Sequence, residues 1–332
     1  MKKWIPVLFS VLLAWNVWLS VRIARMDNQG ILPGTAVEEN VVHSYSSEVT
    51  EAVARTEDSA VLIRAGEDYY TGFVYAQEND TVYIICRASL AGSAGSVVFR
   101  SGRAEEAAVV GTDELLDIAV LAVHPSFQVE AAALGNSDLV KAGEYTIALT
   151  GRNPQTQRAS IGFGVVSRTG YDASTGMYEM LETDARLHNG AAGGILLNLS
   201  GEVIGYMPSV DGRAVSVNEL NASAREIIEQ GEVSRLWLGV VGDDVSGMKL
   251  YHRSAWNLPL DLAEGICVLR VLPDSPAFGV LSAGDVIISL NDVPVNSRAD
   301  LRNWCYTAEI SGPVQAGIVR GTERMTVELQ FE

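Results

Sequence analysis

The sequence predicts a mainly β protein that follows an N-terminal transmembrane helix. Three observations carry this. Trp4 to Val21 is an apolar run with lysines before it and arginines after it. From Ala60 to about Ser223 the chain reads as short apolar runs separated by glycine and polar turns, the spacing of β-barrels. A polar break at Gly231-Glu232-Val233-Ser234 then separates a last segment of about one hundred residues, and the 332-residue length suits about two domains.

The first element is the apolar run itself. Lys2 and Lys3 precede it, its polar members are Ser10, Asn16 and Ser20, and Arg22 and Arg25 close it. At about 1.5 Å per residue it covers roughly 30 Å, the hydrocarbon thickness of a bilayer. Its end, Trp15-Asn16-Val17-Trp18-Leu19, lacks the small residues of a cleavage site, and tryptophan suits the membrane interface. Residues 1–25 are therefore expected to be a cytoplasmic tip and an uncleaved signal anchor. Flanking charge leaves its orientation open, because both ends are basic. Residues 26–46, with Asp27-Asn28-Gln29-Gly30 and Leu32-Pro33-Gly34-Thr35, read as a turn-rich linker. Val49, Ala52 and Val53 have helical spacing, with Ser47 or Thr50 as cap.

Strand signals come next, at Ala60–Ile63, Gly72–Tyr75, Thr81–Ile85, Ser96–Phe99, Tyr145–Leu149 and Gly164–Ser167. Asn221–Gln230 reads as a closing helix. The spans expected on these grounds are a first folded domain over 47–232 and a second over 233–332.

Composition excludes several function classes. A net charge of −17 and the lack of a basic stripe argue against nucleic-acid binding. Cys86, Cys267 and Cys305 are isolated, and the four histidines show no ligand spacing, so neither a metal nor another cofactor is expected. Cys267 and Cys305 are the only pair that could form a disulfide within one domain.

The chemistry-bearing motifs lie in three places. Glu182-Thr183-Asp184-Ala185 leads into Leu187-His188-Asn189-Gly190-Ala191-Ala192-Gly193-Gly194, and Ser200-Gly201-Glu202-Val203-Ile204-Gly205 comes after it. Val109-Val110-Gly111-Thr112-Asp113 precedes Asp117-Ile118-Ala119-Val120-Leu121. Tyr83-Ile84-Ile85-Cys86-Arg87-Ala88-Ser89-Leu90 is the third. Together they resemble the HtrA-like (Deg) family of trypsin-fold serine proteases. That resemblance implies two antiparallel six-stranded barrels, with Asp117 at the triad aspartate, Ser89 at the histidine and Ala192 at the nucleophile. The backbone N–H groups of Gly190 and Ala192 would form the oxyanion hole.

Two of the three catalytic groups are thus replaced. A methyl group cannot attack a carbonyl, and losing the nucleophile or base of such a triad costs about a million-fold in turnover. Arg87, Cys86 and Ile195 also replace the asparagine, threonine and proline of the flanking motifs. His188 reads as a solvent-facing loop residue, Cys86 as a core thiol and Ser89 as a small polar filler. The expectation is a catalytically degenerate member. An active endopeptidase with an engineered or misaligned site is the competing reading.

The last segment resembles the PDZ domain of the same family. Leu236-Trp237-Leu238-Gly239-Val240 matches its carboxylate-binding segment. Gly265–Val271 with Asp274-Ser275-Pro276-Ala277, and Leu281–Asp292, match its next two motifs. The resemblance implies that a peptide adds a strand to the sheet edge, with its C-terminal carboxylate on the Leu238–Val240 backbone. Trp237, Leu238, Gly239, Val240 and Leu301 are the expected peptide-binding residues, with Asp300–Trp304 on the groove helix. Arg235 reads as a solvated neighbour, and closure of the groove from within is the competing reading.

The family implies further properties. They are extracytoplasmic domains on a bacterial membrane anchor at residues 4–21, and binding of protein or peptide segments as adaptor, scaffold or regulator. Homo-oligomers and association with active HtrA-like proteases are its implied assemblies.

Overall fold

In the computed structural model the described residues are Trp15, Trp18, 48–152, 159–171, 178–187 and 193–331. The expected membrane span lies outside them except for Trp15 and Trp18. Among the described residues no helix is long and apolar enough to cross a membrane. Residues 1–48 form one compact unit and 49–332 another. The second unit holds both barrels and the C-terminal sheet.

A helix, α1, covers 48–56, and its Ala52 and Val53 are buried in the core. The first sheet contains β1 (Ala60–Ala65), β2 (Asp68–Glu78), β3 (Thr81–Cys86), β4 (Ser96–Val98), β5 (Ala104–Glu106), β6 (Ala108–Asp113) and β7 (Ile118–Val123). Its strand order is β5-β4-β1-β2-β3-β7-β6. The resemblance implies six strands here, and seven are found. Ala107 interrupts one strand, so its two halves sit at opposite edges of the sheet. Its N–H turns to the Gly95 carbonyl at 3.4 Å. One residue therefore joins the two edges and wraps the sheet around the core of Ile63, Val74, Ile84 and Leu121.

The second sheet closes as a six-stranded barrel in the order β10-β13-β12-β11-β8-β9. Its strands are β8 (Tyr145–Leu149), β9 (Ile161–Tyr171), β10 (Glu179–Thr183), β11 (Gly194–Leu197), β12 (Val203–Met207) and β13 (Arg213–Ser216). The short helix α2 (Ala88–Ala91) follows β3, and the longer α3 (Val217–Gln230) follows β13. α3 begins four residues before the expected Asn221. It ends where Gly231, at φ +84°, turns back and donates to the Ile227 carbonyl at 2.8 Å. Leu220, Ala224 and Ile227 on one face of α3 join Phe73, Ile147, Ile195 and Tyr206 in a core shared by both barrels. Glu219 and Ser223 lie on a different face of α3.

The C-terminal sheet runs β14-β15-β16-β18-β19, with β17 on β16. These strands are β14 (Val240–Asp244), β15 (Ile266–Val271), β16 (Val286–Leu290), β17 (Val293–Pro294), β18 (Val314–Arg320) and β19 (Glu323–Leu329). The helices are α4 (Leu250–Ala255) and α5 (Arg298–Thr307). A capping box starts α5: the Asp300 N–H donates to Ser297 Oγ and the Ser297 N–H to Asp300 Oδ2. Leu301 and Trp304 of α5 are buried against Leu238, Val240 and Ile318. All three cysteines are free thiols, so the Cys267–Cys305 pairing does not form. Cys267 is buried on β15, whereas Cys305 lies on α5.

Candidate functional site

Two places meet the description of a site: a cleft at Asp117 and a pocket at the start of β14. At the first, Asp117 sits in the left-handed region at φ +50°, just before β7. An aspartate tolerates this conformation better than most residues. Both of its carboxylate oxygens accept hydrogen bonds. Arg87 donates through Nε at 2.9 Å and Nη2 at 2.8 Å to Oδ2. The backbone N–H of Ser89 donates to Oδ1 at 3.0 Å. Ser89 and Asp117 are therefore neighbours, but the serine is exposed on α2 and its main chain makes the contact.

No histidine among the described residues reaches this carboxylate. His124 lies at the other end of β7, about 20 Å away at 3.3 Å per residue. It contacts Asp80 and Thr81 instead. His252 packs against Tyr251 on α4. Burial, and secondarily the Asp117 charge, pushes the Cys86 thiol up to about 12, which leaves it protonated and unreactive.

His188, Gly190 and Ala192 lie outside the described residues. Their neighbour Gly193 is at φ +84°, and a Cβ there would lie 2.4 Å from the Thr71 carbonyl oxygen. It would also lie 2.9 Å from the Tyr206 hydroxyl. Only glycine fits this crossing of β2, which anchors the C-terminal end of the loop. The Tyr206 hydroxyl is buried with no hydrogen-bond partner among the described residues. Burial holds its pKa well above the usual phenol value.

The second place brings together all five residues expected to bind peptide. Trp237, Leu238, Gly239, Val240 and Leu301 line one cavity with Leu236, Arg235, Arg302, Cys305, Tyr306 and Glu219. The Leu236 N–H donates to the Cys305 carbonyl at 2.8 Å, tying this segment to α5. The N–H groups of Leu238 and Gly239 have no partner among the described residues. Gly239 is at φ +77°, and a Cβ there would sit 1.9 Å from the Ser275 Cβ. Ser275 behind the loop thus requires glycine at this position. Among the described strands β14 pairs only with β15, so its other edge carries no strand ladder.

The cavity measures about 30 Å³. It is small because the barrel domain closes it. Arg235 is nine-tenths buried rather than solvated, paired with Asp113 and facing Glu219 Oε1 at 3.6 Å. Its guanidinium carbon lies 5.0 Å above the Tyr306 ring. Tyr306 donates to Glu219 Oε1 at 2.8 Å. Arg302 donates to both Asp138 oxygens, at 3.0 and 2.9 Å, and to Glu179 Oε2 at 2.8 Å. Arg298 holds the far end of the groove, between Glu179 at 3.4 Å and Asp244 at 3.5 Å. Asp113 is fixed in turn by the N–H groups of Leu115 and Leu116 and by the Ser223 hydroxyl.

These ion pairs shift proton affinities. Burial raises Glu219 to about 7, helped by Glu179 and opposed by the Tyr306 hydrogen bond and Arg302. Burial also raises Glu179, against Arg298 and Arg302. For Asp138 burial is the largest single influence and acts upward, but the Arg302 and Arg298 contacts together outweigh it, and its pKa falls. Arg87, Arg235 and Arg302 are visible in the sequence, but nothing local marks their partners.

The fold and pocket define a class: a trypsin-like β-barrel pair joined to a PDZ domain. Residues 70–205 match the trypsin-like peptidase domain family and residues 238–331 the PDZ domain family. The chain is 32% identical over 249 residues to the periplasmic pH-dependent serine endoprotease DegQ of Escherichia coli K12. That match covers 71% of this chain and 53% of DegQ. Over 286 residues it is 29% identical to the periplasmic serine endoprotease DegP of Salmonella typhimurium LT2, covering 82% of this chain and 56% of DegP. The chain thus spans about half the length of these relatives. A solved structure of the HtrA-type protease AlgW with a tripeptide shares the fold at a TM-score of 0.57 and 23% identity, over 85% of this chain and 96% of that one. The chain belongs to the HtrA-like (Deg) family of trypsin-like proteins with a C-terminal PDZ domain.

Proposed function

We propose that this protein is a catalytically inactive, peptide-binding member of its family. The observation that carries the reading is the state of Asp117. In a working triad this carboxylate orients a histidine and stabilises its charge. Here both oxygens are taken, by Arg87 and by the Ser89 N–H. The carboxylate has become half of a structural ion pair. With Ala192 at the nucleophile position the chain has neither attacking group nor base.

What it retains is recognition. The β14 edge that carries no strand ladder and the unpartnered N–H groups of Leu238 and Gly239 suit an apolar peptide with a free C-terminal carboxylate. Residues 47–232 act as the protease-fold domain and 233–332 as the PDZ domain, behind an anchor at 1–25 and a linker at 26–46. The periplasmic relatives support a location outside the cytoplasm, on a bacterial membrane. There the protein would serve as adaptor, scaffold or regulator in envelope protein quality control, as a homo-oligomer or with active relatives.

The test is chemical. Purified full chain is incubated with an unfolded protein and, separately, with a fluorophosphonate probe. Neither cleavage nor labelling is expected. Labelling that disappears when one particular serine is replaced would overturn the reading.

A further inference from the structure

The carboxylate pocket of the PDZ domain is occupied in charge, though not in space. The loop offers two unpartnered N–H donors, at Leu238 and Gly239. Facing them across the same cavity is Glu219, a side chain of the barrel domain. An arriving C-terminal carboxylate would meet a second carboxylate lining the same cavity.

We infer that Glu219 gates the pocket: its ionised side chain excludes a peptide C-terminus, which enters only when Glu219 is neutralised or withdrawn with α3. This rests on the reading that the Leu238–Val240 loop takes peptide carboxylates.

Charge accounting supports the gate. Every cation within reach is already committed. Arg235 is paired with Asp113, Arg302 with Asp138 and Glu179, and Arg298 with Glu179, Asp243 and Asp244. Arg235 Nη1 is buried without a hydrogen-bond acceptor among the described residues, but it lies 3.6 Å from Glu219 Oε1, so an additional carboxylate would have to share this charge with Glu219. Two carboxylates sharing a buried site cannot both ionise without a large penalty. Glu219 is also held in place, since Oε1 accepts from the Tyr306 hydroxyl at 2.8 Å and Oε2 from the Glu179 N–H at 3.3 Å. Its remaining ionisable neighbours are Cys305 and the Glu179 and Arg302 side chains. The thiol of Cys305 is pushed to about 12 by burial and stays neutral.

Glu219 titrates near 7 in the folded chain, whereas a peptide's terminal carboxylate stays ionised well below that. Lowering the pH from 8 to 6 therefore neutralises the gate and leaves the ligand charged.

The experiment measures binding to the full chain of a fluorescein-labelled hexapeptide with an apolar C-terminal residue, as free acid and as amide, at pH 8 and pH 6. At pH 8, Glu219→Gln should bind the free acid at least about ten-fold tighter than wild type, the size of one 1.4 kcal/mol step. The amide should gain nothing. Wild type should gain affinity for the free acid as the pH falls, and Glu219→Gln should not. The wild-type pH series needs no substitution, so it stands even if the variant misfolds. If both proteins prefer acid over amide but bind it equally at both pH values, the gate is wrong and the carboxylate site stands. If neither prefers the acid, the carboxylate site falls and the gate with it.

Discussion

The cleft at Asp117 and the pocket at Glu219 both hold internal ion pairs, and the pairs are arranged in different ways. In the cleft, Arg87 and Asp117 neutralise one another at half-exposed positions. The pair is self-contained, and its members come from adjoining elements of one sheet. In the pocket, most of the ion pairs join one domain to the other, and only Arg298 also meets carboxylates of its own domain, Asp243 and Asp244. Carboxylates at 113, 138, 179 and 219 of the barrels face arginines 235, 298 and 302. The first arrangement lasts as long as the first sheet is folded. The second lasts only as long as the domains stay docked. On the proposed reading, lost chemistry is fixed within one sheet, whereas retained recognition is switched by moving a domain.

The comparison breaks most visibly at the level of rate. Ser89→His with Ala192→Ser supplies both absent groups, yet Arg87 would still hold Asp117 away from the new imidazole. The double variant should remain at background in a casein-cleavage assay. Adding Arg87→Asn frees the carboxylate, and that triple variant is the one expected to regain part of the roughly million-fold loss. Full activity in the double variant would show that Arg87 does not block the site.

A smaller effect tests the second arrangement. Arg302→Ala leaves Asp138 and Glu179 without their shared cation in a buried interface. Removing one partner of a buried pair costs about 3–5 kcal/mol. Thermal unfolding of the variant should split into separate transitions for the two domains. A single transition at the wild-type temperature would mean that the arginine contributes little to docking.

The smallest effect belongs to the cleft. Asp117→Asn should destabilise the chain by only about 1 kcal/mol, because its pair with Arg87 is partly solvated. Urea denaturation would measure this. A loss as large as that of Arg302→Ala would place Asp117 in the folding core and erase the contrast.

Much of this is legible in the chain. Apolar runs such as Ile118–Val123 and Tyr145–Leu149 form strands because their residues fill closely spaced cores on both sides. The positions that the resemblance assigns to the triad, Ser89 and Ala192, stand out because much of the motif around each is kept, although Arg87, Cys86 and Ile195 depart from it. The rest depends on contacts with no local signature. Ala107 looks like any strand residue, and only closure of the sheet reveals the break there. Arg235 reads as solvated because its partner Asp113 belongs to the preceding domain. Glu219 carries no mark in the sequence, since an acidic residue in the first turn of a helix is an ordinary helix-stabilising choice. Its meaning comes from Tyr306, a residue of another domain.

Because Glu219 is carried on the same chain as the pocket it faces, its charge is present there whatever the concentration of the protein. In the proposed gate it acts as a fixed repulsion and not as a rival ligand, since its own oxygens accept from Tyr306 and from the Glu179 N–H. A peptide would therefore meet the same barrier at any dilution, and only a change of pH or of domain docking would lower it.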